Sequence, residues 1–379
     1  MIEFIIKRDG RVEKFDPSKL IKWADWAASE FKEQTDWAEA SISAISNLNG
    51  KVHSKTLQMK LIKELIARGG WANNRMAGRL YAPMVIKDLY GDKIPTAKEV
   101  FTLAYEAGLM KKFDYDDNEW NEIEKFIKHD RDLTYTYFQI VQTLKKYSIQ
   151  NRHTKKYYES PQFTDLRISL ALAENFPKDI RLTHAKNWYD LFTTNKINAP
   201  TPNYQNLGTK HNGFASCCLF SANDTAPSIA AGSLIANTMV YMSCGVGGTL
   251  MCRSINDPVR NGTFLHKGKY DYYQAWGKEV KANHQGTRGG AGTFYNSLFD
   301  PEAKMMIMSQ NPRTPRSKQN RDLHFAGQSN AFLEWKAQQN EDVFTFNCFT
   351  APDLFEKFYS SDIDEIGRAS CRERVYACV

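Results

Sequence analysis

The sequence predicts an α/β protein built in three stretches. A short hairpin followed by helices comes first, a helical region rich in aromatic residues second, and last a region where short apolar runs alternate with helical windows. Alternation of that kind builds a parallel sheet or barrel, whose ligands usually sit at the strand ends. The stretches span 1–92, 93–195 and 196–365. With 379 residues, 42% of them hydrophobic and 25% charged, the chain can bury the cores of two or three domains.

Ile2, Phe4 and Ile6 alternate with other residues, Asp9-Gly10 supplies a turn, and residues 12–15 continue extended, which is a hairpin signal. Asp16-Pro17 then provides an N-cap and a first-turn proline for a helix with Leu20, Ala24 and Phe31 on one face. A second helix starts at Ser54, presents Leu57, Leu61, Ile62, Leu65 and Ile66, and stops at Gly69-Gly70. A third covers 74–90 and ends at Gly91, with Pro83 expected to kink it.

Helical windows follow at 100–110, 120–127, 135–144, 163–173 and 180–192, and their aromatic residues read as core packing. From Lys196 onward, strands are expected at 215–220, 246–251 and 343–348, with helices at 228–242, 270–280 and 352–359. The run Phe214-Ala-Ser-Cys-Cys-Leu-Phe220 reads as a buried strand holding two neighbouring thiols. Those thiols fit either small buried hydrophobes or redox chemistry.

The formal charge of +7 comes from interleaved acidic and basic residues, so an anionic small ligand fits as well as a polyanion. The basic stretch 313–321 is expected to stay solvated and to bind no nucleic acid. No apolar run approaches the roughly 20 residues of a membrane span, and the start Met-Ile-Glu-Phe-Ile-Ile-Lys-Arg lacks the order of a signal peptide. A cytoplasmic protein is expected. Its seven cysteines show no Cys-x-x-Cys pair and no local His/Cys spacing, so neither a disulfide framework nor a bound metal is expected. The glycine spacing matches neither a dinucleotide fingerprint nor a Walker loop.

Eight short motifs occur in a fixed order: Lys7-Arg-Asp-Gly10, His129-Asp-Arg-Asp132, Gln150-Asn-Arg152, Tyr158-Glu-Ser160, Pro200-Thr-Pro202, Ser216-Cys217, Gly245-Val-Gly247 and Arg288-Gly-Gly-Ala291. In that order they resemble the large, catalytic subunit of class I ribonucleotide reductase, with detail most like its bacteriophage branch, over residues 7–362. The resemblance implies an ATP-cone regulatory domain at 1–92, a helical region at 93–195, and the first half of a ten-stranded α/β barrel at 196–365. It also implies reduction of ribonucleoside diphosphates to deoxyribonucleotides by thiyl-radical chemistry.

Residue by residue, the resemblance makes Cys217 a reducing thiol that ends as a disulfide with a partner far along the chain. Cys218, which follows it on the strand, should face the other way and be structural. Thr201, Ser216, Gly245, Gln285 and Arg288 correspond to substrate contacts, where hydroxyls bond phosphate and ribose and a glycine lets backbone approach the sugar. Asp224, Arg253 and Arg260 correspond to the effector site, where a deoxynucleoside triphosphate binds at a homodimer interface. The glycine-rich loop 282–292 would link effector to substrate base.

Lys7, Arg8, Glu13 and Lys87 match the ATP-cone. Leu57 stands where a nucleotide-contacting histidine is expected and His53 where a threonine is expected, departures that bear on control by ATP and dATP. The resemblance further implies a metal-containing small (beta) subunit that supplies the radical, thioredoxin or glutaredoxin as reductant, and no cofactor held by this chain itself. If phage-encoded, the protein would work in the host cytoplasm.

The family's radical cysteine, second reducing cysteine, phosphate-binding Ser/Thr loop, tyrosine pair and C-terminal thiols would all follow Asp362, so this stretch is expected to be inactive alone. Residues 366–379 resemble one frame of a sequencing adapter and are expected to be a non-native tail. The alternative reading is a nucleotide-binding module that acts only in complex with a second chain.

Overall fold

Capping and turn chemistry start the chain as the sequence predicts. In this computed structural model, which describes residues 2–242, 244–282, 289–342, 345–347 and 349–359, the chain divides into two compact units, 1–214 and 215–379.

In the first unit, β1 (Ile2–Ile6) and β2 (Val12–Lys14) pair antiparallel across a turn in which Gly10 adopts φ +83°, a conformation a side chain would strain. Asp16 accepts from the Ser18 N–H and caps α1 (Pro17–Ala28). Two elements had no clear periodic signal: α2 (Trp37–Ser46) and β3 (Gly50–His53), which pairs parallel to β1 and gives the sheet order β2-β1-β3. The amphipathic α3 (Ser54–Arg68) and α4 (Trp71–Tyr90) follow, the latter continuous through Pro83. Leu57, Leu61, Ile62, Leu65, Met76 and Leu80 form the centre of this core.

Five further helices fill the helical region: α5 (Ala97–Glu106), α6 (Asp117–Phe126), α7 (Tyr137–Gln142), α8 (Pro161–Ala173) and α9 (Lys178–Thr193). Capping boxes begin α5, α6 and α7, at Thr96/Glu99, Asp116/Glu119 and Thr136/Gln139. The aromatic residues do pack as core: Phe101, Phe113, Tyr115, Trp120 and Phe163 meet at ring separations of 5.6–6.5 Å. A two-residue ladder, β4 (Gln150–Asn151) with β5 (Lys156–Tyr157), precedes α8. The unit ends on α10 (Thr201–Asn206), whose Tyr204 packs with Ile168 and Phe192.

The second unit is a four-stranded parallel sheet, β11-β10-β7-β6, made of β6 (Cys217–Asn223), β7 (Gly245–Met251), β10 (Gly292–Ser297) and β11 (His324–Gln328). Between β7 and β10 lie the small ladder of β8 (Pro258–Val259) with β9 (Phe264–Leu265) and the helix α12 (Tyr270–Ala282). The helix α11 (Ala226–Tyr241) connects β6 to β7, while α13 (Ala303–Met308), α14 (Ala331–Gln338) and α15 (Pro352–Tyr359) complete the alternation. Ala222, Val246, Leu250, Tyr273, Trp276 and Phe294 form its core. At Gly248 a Cβ would meet the Phe220 carbonyl oxygen at 1.8 Å, so the close approach of β6 and β7 demands glycine.

Two expectations are corrected here. The strand at 214–220 starts and ends later, at 217–223, and among the described residues it lies at the edge of the sheet, with Cys217, Leu219, Ser221 and Asn223 exposed, while Cys218, Phe220 and Ala222 turn toward the core. No strand occupies 345–347, and the rest of 343–348 apart from these lies outside the described residues. Strands β10 and β11 lacked a signal because Gly-Thr-Phe-Tyr-Asn-Ser and His-Phe-Ala-Gly-Gln are short and largely polar.

Candidate functional site

The two ends of the β6–β7 pair gather different predicted residues. At the N-terminal ends, Cys217 stands opposite Gly245 in register, and the Gly245 N–H donates to the Ser216 carbonyl at 2.8 Å. Ser216, Cys217 and Gly245 therefore lie together, with Cys217 exposed at what is, among the described residues, the edge of the sheet. Seven residues further along, at the C-terminal ends, Asp224 and Arg253 meet. Arg253 donates its backbone N–H to Asp224 Oδ1 at 3.0 Å and its Nε–H to Oδ2 at 2.7 Å, and its Nη1 reaches the Pro258 carbonyl at 2.8 Å. Seven strand residues separate the two places by roughly 20 Å.

Arg260 lies exposed in the turn between β8 and β9, with φ +50°, its guanidinium 5.8 Å from the Phe264 ring centre. Gln285 and Arg288 lie outside the described residues. Helix α11, which runs from this end of the sheet back to the start of β7, is apolar on more than the face that packs. Gly232, Ala236 and Val240 are buried, while Ala230, Leu234 and Tyr241 are exposed, Leu234 by 68% and Tyr241 by 64%.

Thr201 opens α10 in the first unit, its Oγ1 3.5 Å from the Tyr147 hydroxyl, and Tyr147 stacks on Tyr204 at 4.6 Å. Arg167, fully buried, holds this corner. Its Nη2 donates to the carbonyls of Tyr147 and Tyr204 at 3.1 and 2.9 Å, its Nη1 to that of Leu207, and its Nε to Glu159 at 2.8 Å. The Glu159 carboxylate also accepts from the Ile149 N–H and the Thr164 hydroxyl, so both charges are paired and hydrogen-bonded.

The N-terminal sheet and helices form an open cleft of about 870 Å³ lined by Lys7, Arg8, Lys55, Lys60, Lys63 and Lys87 against the single carboxylate of Asp88, with His53, Ser54, Thr56 and Met59 among its other walls. Asp88 pairs with Arg8 at 3.1 Å and Lys55 at 2.7 Å, leaving an excess of positive charge suited to a polyanionic ligand of drug-like size. Glu13 lies instead at an adjoining cavity of about 120 Å³, where Lys19 and then Lys7 hold its carboxyl below the usual range. Leu57 is 5% exposed and belongs to the core, which explains a hydrophobe at that position.

Comparison with known proteins matches these units in order. The ATP cone domain matches residues 3–76, the ribonucleotide reductase all-alpha domain 133–212, and the ribonucleotide reductase barrel domain 215–376. The chain belongs to the ribonucleotide reductase large-subunit family. Among its relatives, the ribonucleoside-diphosphate reductase 1 subunit alpha of Escherichia coli is 29% identical over 96% of this chain and 49% of that protein. The alpha subunit of Buchnera aphidicola from Acyrthosiphon pisum is 29% identical over 94% of the chain and 48% of its own length. That of Enterobacteria phage T4 is 27% identical over 90% and 46%. The chain spans about half the length of the curated relatives it matches.

Within this reductase-family chain the structure brings Ser216, Cys217 and Gly245 together, Asp224 with Arg253, and Lys7, Arg8 and Lys87 around one cavity. The lysines at 55, 60 and 63 were missed because each alone reads as a solvated surface charge; only Lys60 and Lys63 stand at an i,i+3 spacing on α3. Among the described residues no helix is long and apolar enough to cross a membrane.

Proposed function

We propose that this chain is the effector-binding and thiol-bearing part of a ribonucleoside-diphosphate reductase. The observation that carries the reading is the joining of Ser216, Cys217 and Gly245 at one end of the β6–β7 pair, with the Asp224–Arg253 fork at the other. Cys217 supplies one of two thiols: as the ribose carbon–oxygen bond breaks, a carbon–hydrogen bond replaces it and water leaves, the thiols give up two protons and two electrons and form an S–S bond. Ser216 offers a hydroxyl to the ribose, and Gly245 leaves the approach to Cys217 free of a side chain. A small subunit would supply the initiating radical, and thioredoxin or glutaredoxin would return the disulfide to thiols.

Asp224, Arg253 and Arg260 would hold a deoxynucleoside triphosphate, the arginines on phosphate oxygens and the acid on a ribose hydroxyl. The exposed Ala230 and Leu234 of α11, the helix that starts just after Asp224, support a homodimer in which this helix takes part. The basic cavity at the N-terminus supports ATP or dATP binding there by Lys7, Arg8 and Lys87, and favours the second reading, a nucleotide-sensing module that acts with another chain. Equilibrium dialysis of the 379-residue chain with dTTP and with ATP tests both sites. Binding of dTTP lost in Arg253→Ala and binding of ATP lost in Lys87→Ala are expected. Failure of either nucleotide to bind removes the corresponding assignment.

A further inference from the structure

Asp224, Cys252 and His266 come from three separate segments: the turn after β6, the residue after β7 and the residue after β9. One ligating atom of each nevertheless lies within 4.8 Å of the other two. We propose that these three side chains form a binding site for a borderline-soft divalent cation of the zinc type, with a fourth position left for water. The proposal does not depend on the effector reading.

The donor set carries the choice of ion. A thiol with an imidazole and a carboxylate suits zinc and its transition-metal neighbours, whereas magnesium and calcium prefer all-oxygen sets. Tetrahedral bonds of about 2.0–2.3 Å put ligand atoms about 3.3–3.8 Å apart, so the three donors need to close by about an ångström. Their supports are already built. The Cys252 carbonyl accepts from Asn347 Nδ2 at 2.9 Å, and both backbone groups of His266 are paired, its N–H to the Asp257 carbonyl at 2.8 Å and its carbonyl from the Asn256 N–H at 2.9 Å. Asp224 is fixed by Arg253, which uses one lone pair on each carboxylate oxygen and leaves others for a cation.

One ring nitrogen of His266 is seen to carry a lone pair: Nδ1 accepts from the Gly268 N–H at 3.1 Å. A cation at Nδ1 replaces that contact. Thiolate and carboxylate bring two negative charges to the two of the ion and the one of the Arg253 guanidinium. Cys252 is fully buried, and burial pushes its thiol up to about 12, so it is protonated in the metal-free chain and gives up that proton as the ion enters. Residues 224, 252 and 266 lie too far apart in sequence to form a local ligand spacing, which is why the sequence predicted no metal.

The test is a cobalt(II) titration of the metal-free 379-residue chain near neutral pH, followed by absorption spectroscopy. One equivalent of cobalt is expected to bind with a thiolate-to-cobalt charge-transfer band that zinc abolishes by displacement. Cys252→Ser should remove the band and Cys217→Ser should leave it. Because Cys252 is buried and its variant can fail to fold, the half-exposed His266 provides the second arm: His266→Ala, folded by circular dichroism, should bind at least tenfold more weakly. No band at excess cobalt, a band that survives Cys252→Ser, or unchanged affinity in His266→Ala overturns the proposal.

Discussion

Cys217 and Gly245 face each other across the first rung of the β6–β7 ladder, and the Gly245 N–H is bonded to the carbonyl of the residue before the cysteine. Among the described residues the thiol thus stands at the edge of the sheet, beside a position without a side chain. Cys218 turns to the opposite face, with Phe220 and Ala222, so the neighbouring thiols point apart along an extended strand. Alkylation followed by mass spectrometry should modify Cys217 first, Cys218 more slowly and Cys252 only on unfolding, because access controls the order. A vicinal Cys217–Cys218 disulfide under mild oxidation would contradict this geometry.

The buried Arg167–Glu159 pair fixes the corner that presents Thr201. Arg167→Met leaves the Glu159 carboxylate buried without its counter-ion and should cost about 3–5 kcal/mol in urea unfolding. Adding Glu159→Gln should restore part of that loss by removing the stranded charge. A loss under about 1 kcal/mol in the single variant would show that the pair does not hold this corner.

Asp132 and Asp165 give the first unit a pH dependence. Burial pushes the Asp132 carboxyl up to about 8, with the Asp165 charge adding to the rise, and burial pushes the Asp165 carboxyl up to about 7, with the Glu159 charge adding to it. Gln162 donates to Asp132 Oδ1 and the Tyr135 hydroxyl to Asp165 Oδ2, while Asp132 Oδ2 has no partner. The folded state therefore holds protons that the unfolded chain releases above its ordinary value of 3.8, so stability falls as pH rises from about 4 to about 8 and levels off beyond. Asp132→Asn should remove its share of this slope: thermal melting should show the variant gaining on the parent toward pH 8 and losing that advantage near pH 4. Parallel curves for the two proteins would contradict the assignment.

Much of this was legible in the sequence where the signal is local. Asp16-Pro17, Gly69-Gly70 and the apolar face of α3 mark helix ends and a core that the structure contains. The alternation of short apolar runs with helices announced the parallel sheet, although β10 and β11 are too short and polar to show alone. What stayed hidden depends on long-range pairing. β3 owes its existence to β1, the basic cavity to lysines of α3 meeting Lys7 and Arg8, and the Asp224–Cys252–His266 cluster to three segments brought together by the sheet and its flanking ladder. Arg167 illustrates the same limit, since its role lies in carbonyls twenty to forty residues away.

The central claim is that Cys217 is a reducing thiol of ribonucleotide reduction. Its most direct test is turnover of a large subunit of the relatives' full length carrying this segment, assayed with its small subunit and a dithiol reductant, as wild type and as Cys217→Ser. The account predicts that the serine variant loses dithiol-supported turnover by at least a thousandfold, about 4 kcal/mol in the barrier, while dTTP still binds. Turnover equal to that of the wild type would contradict it.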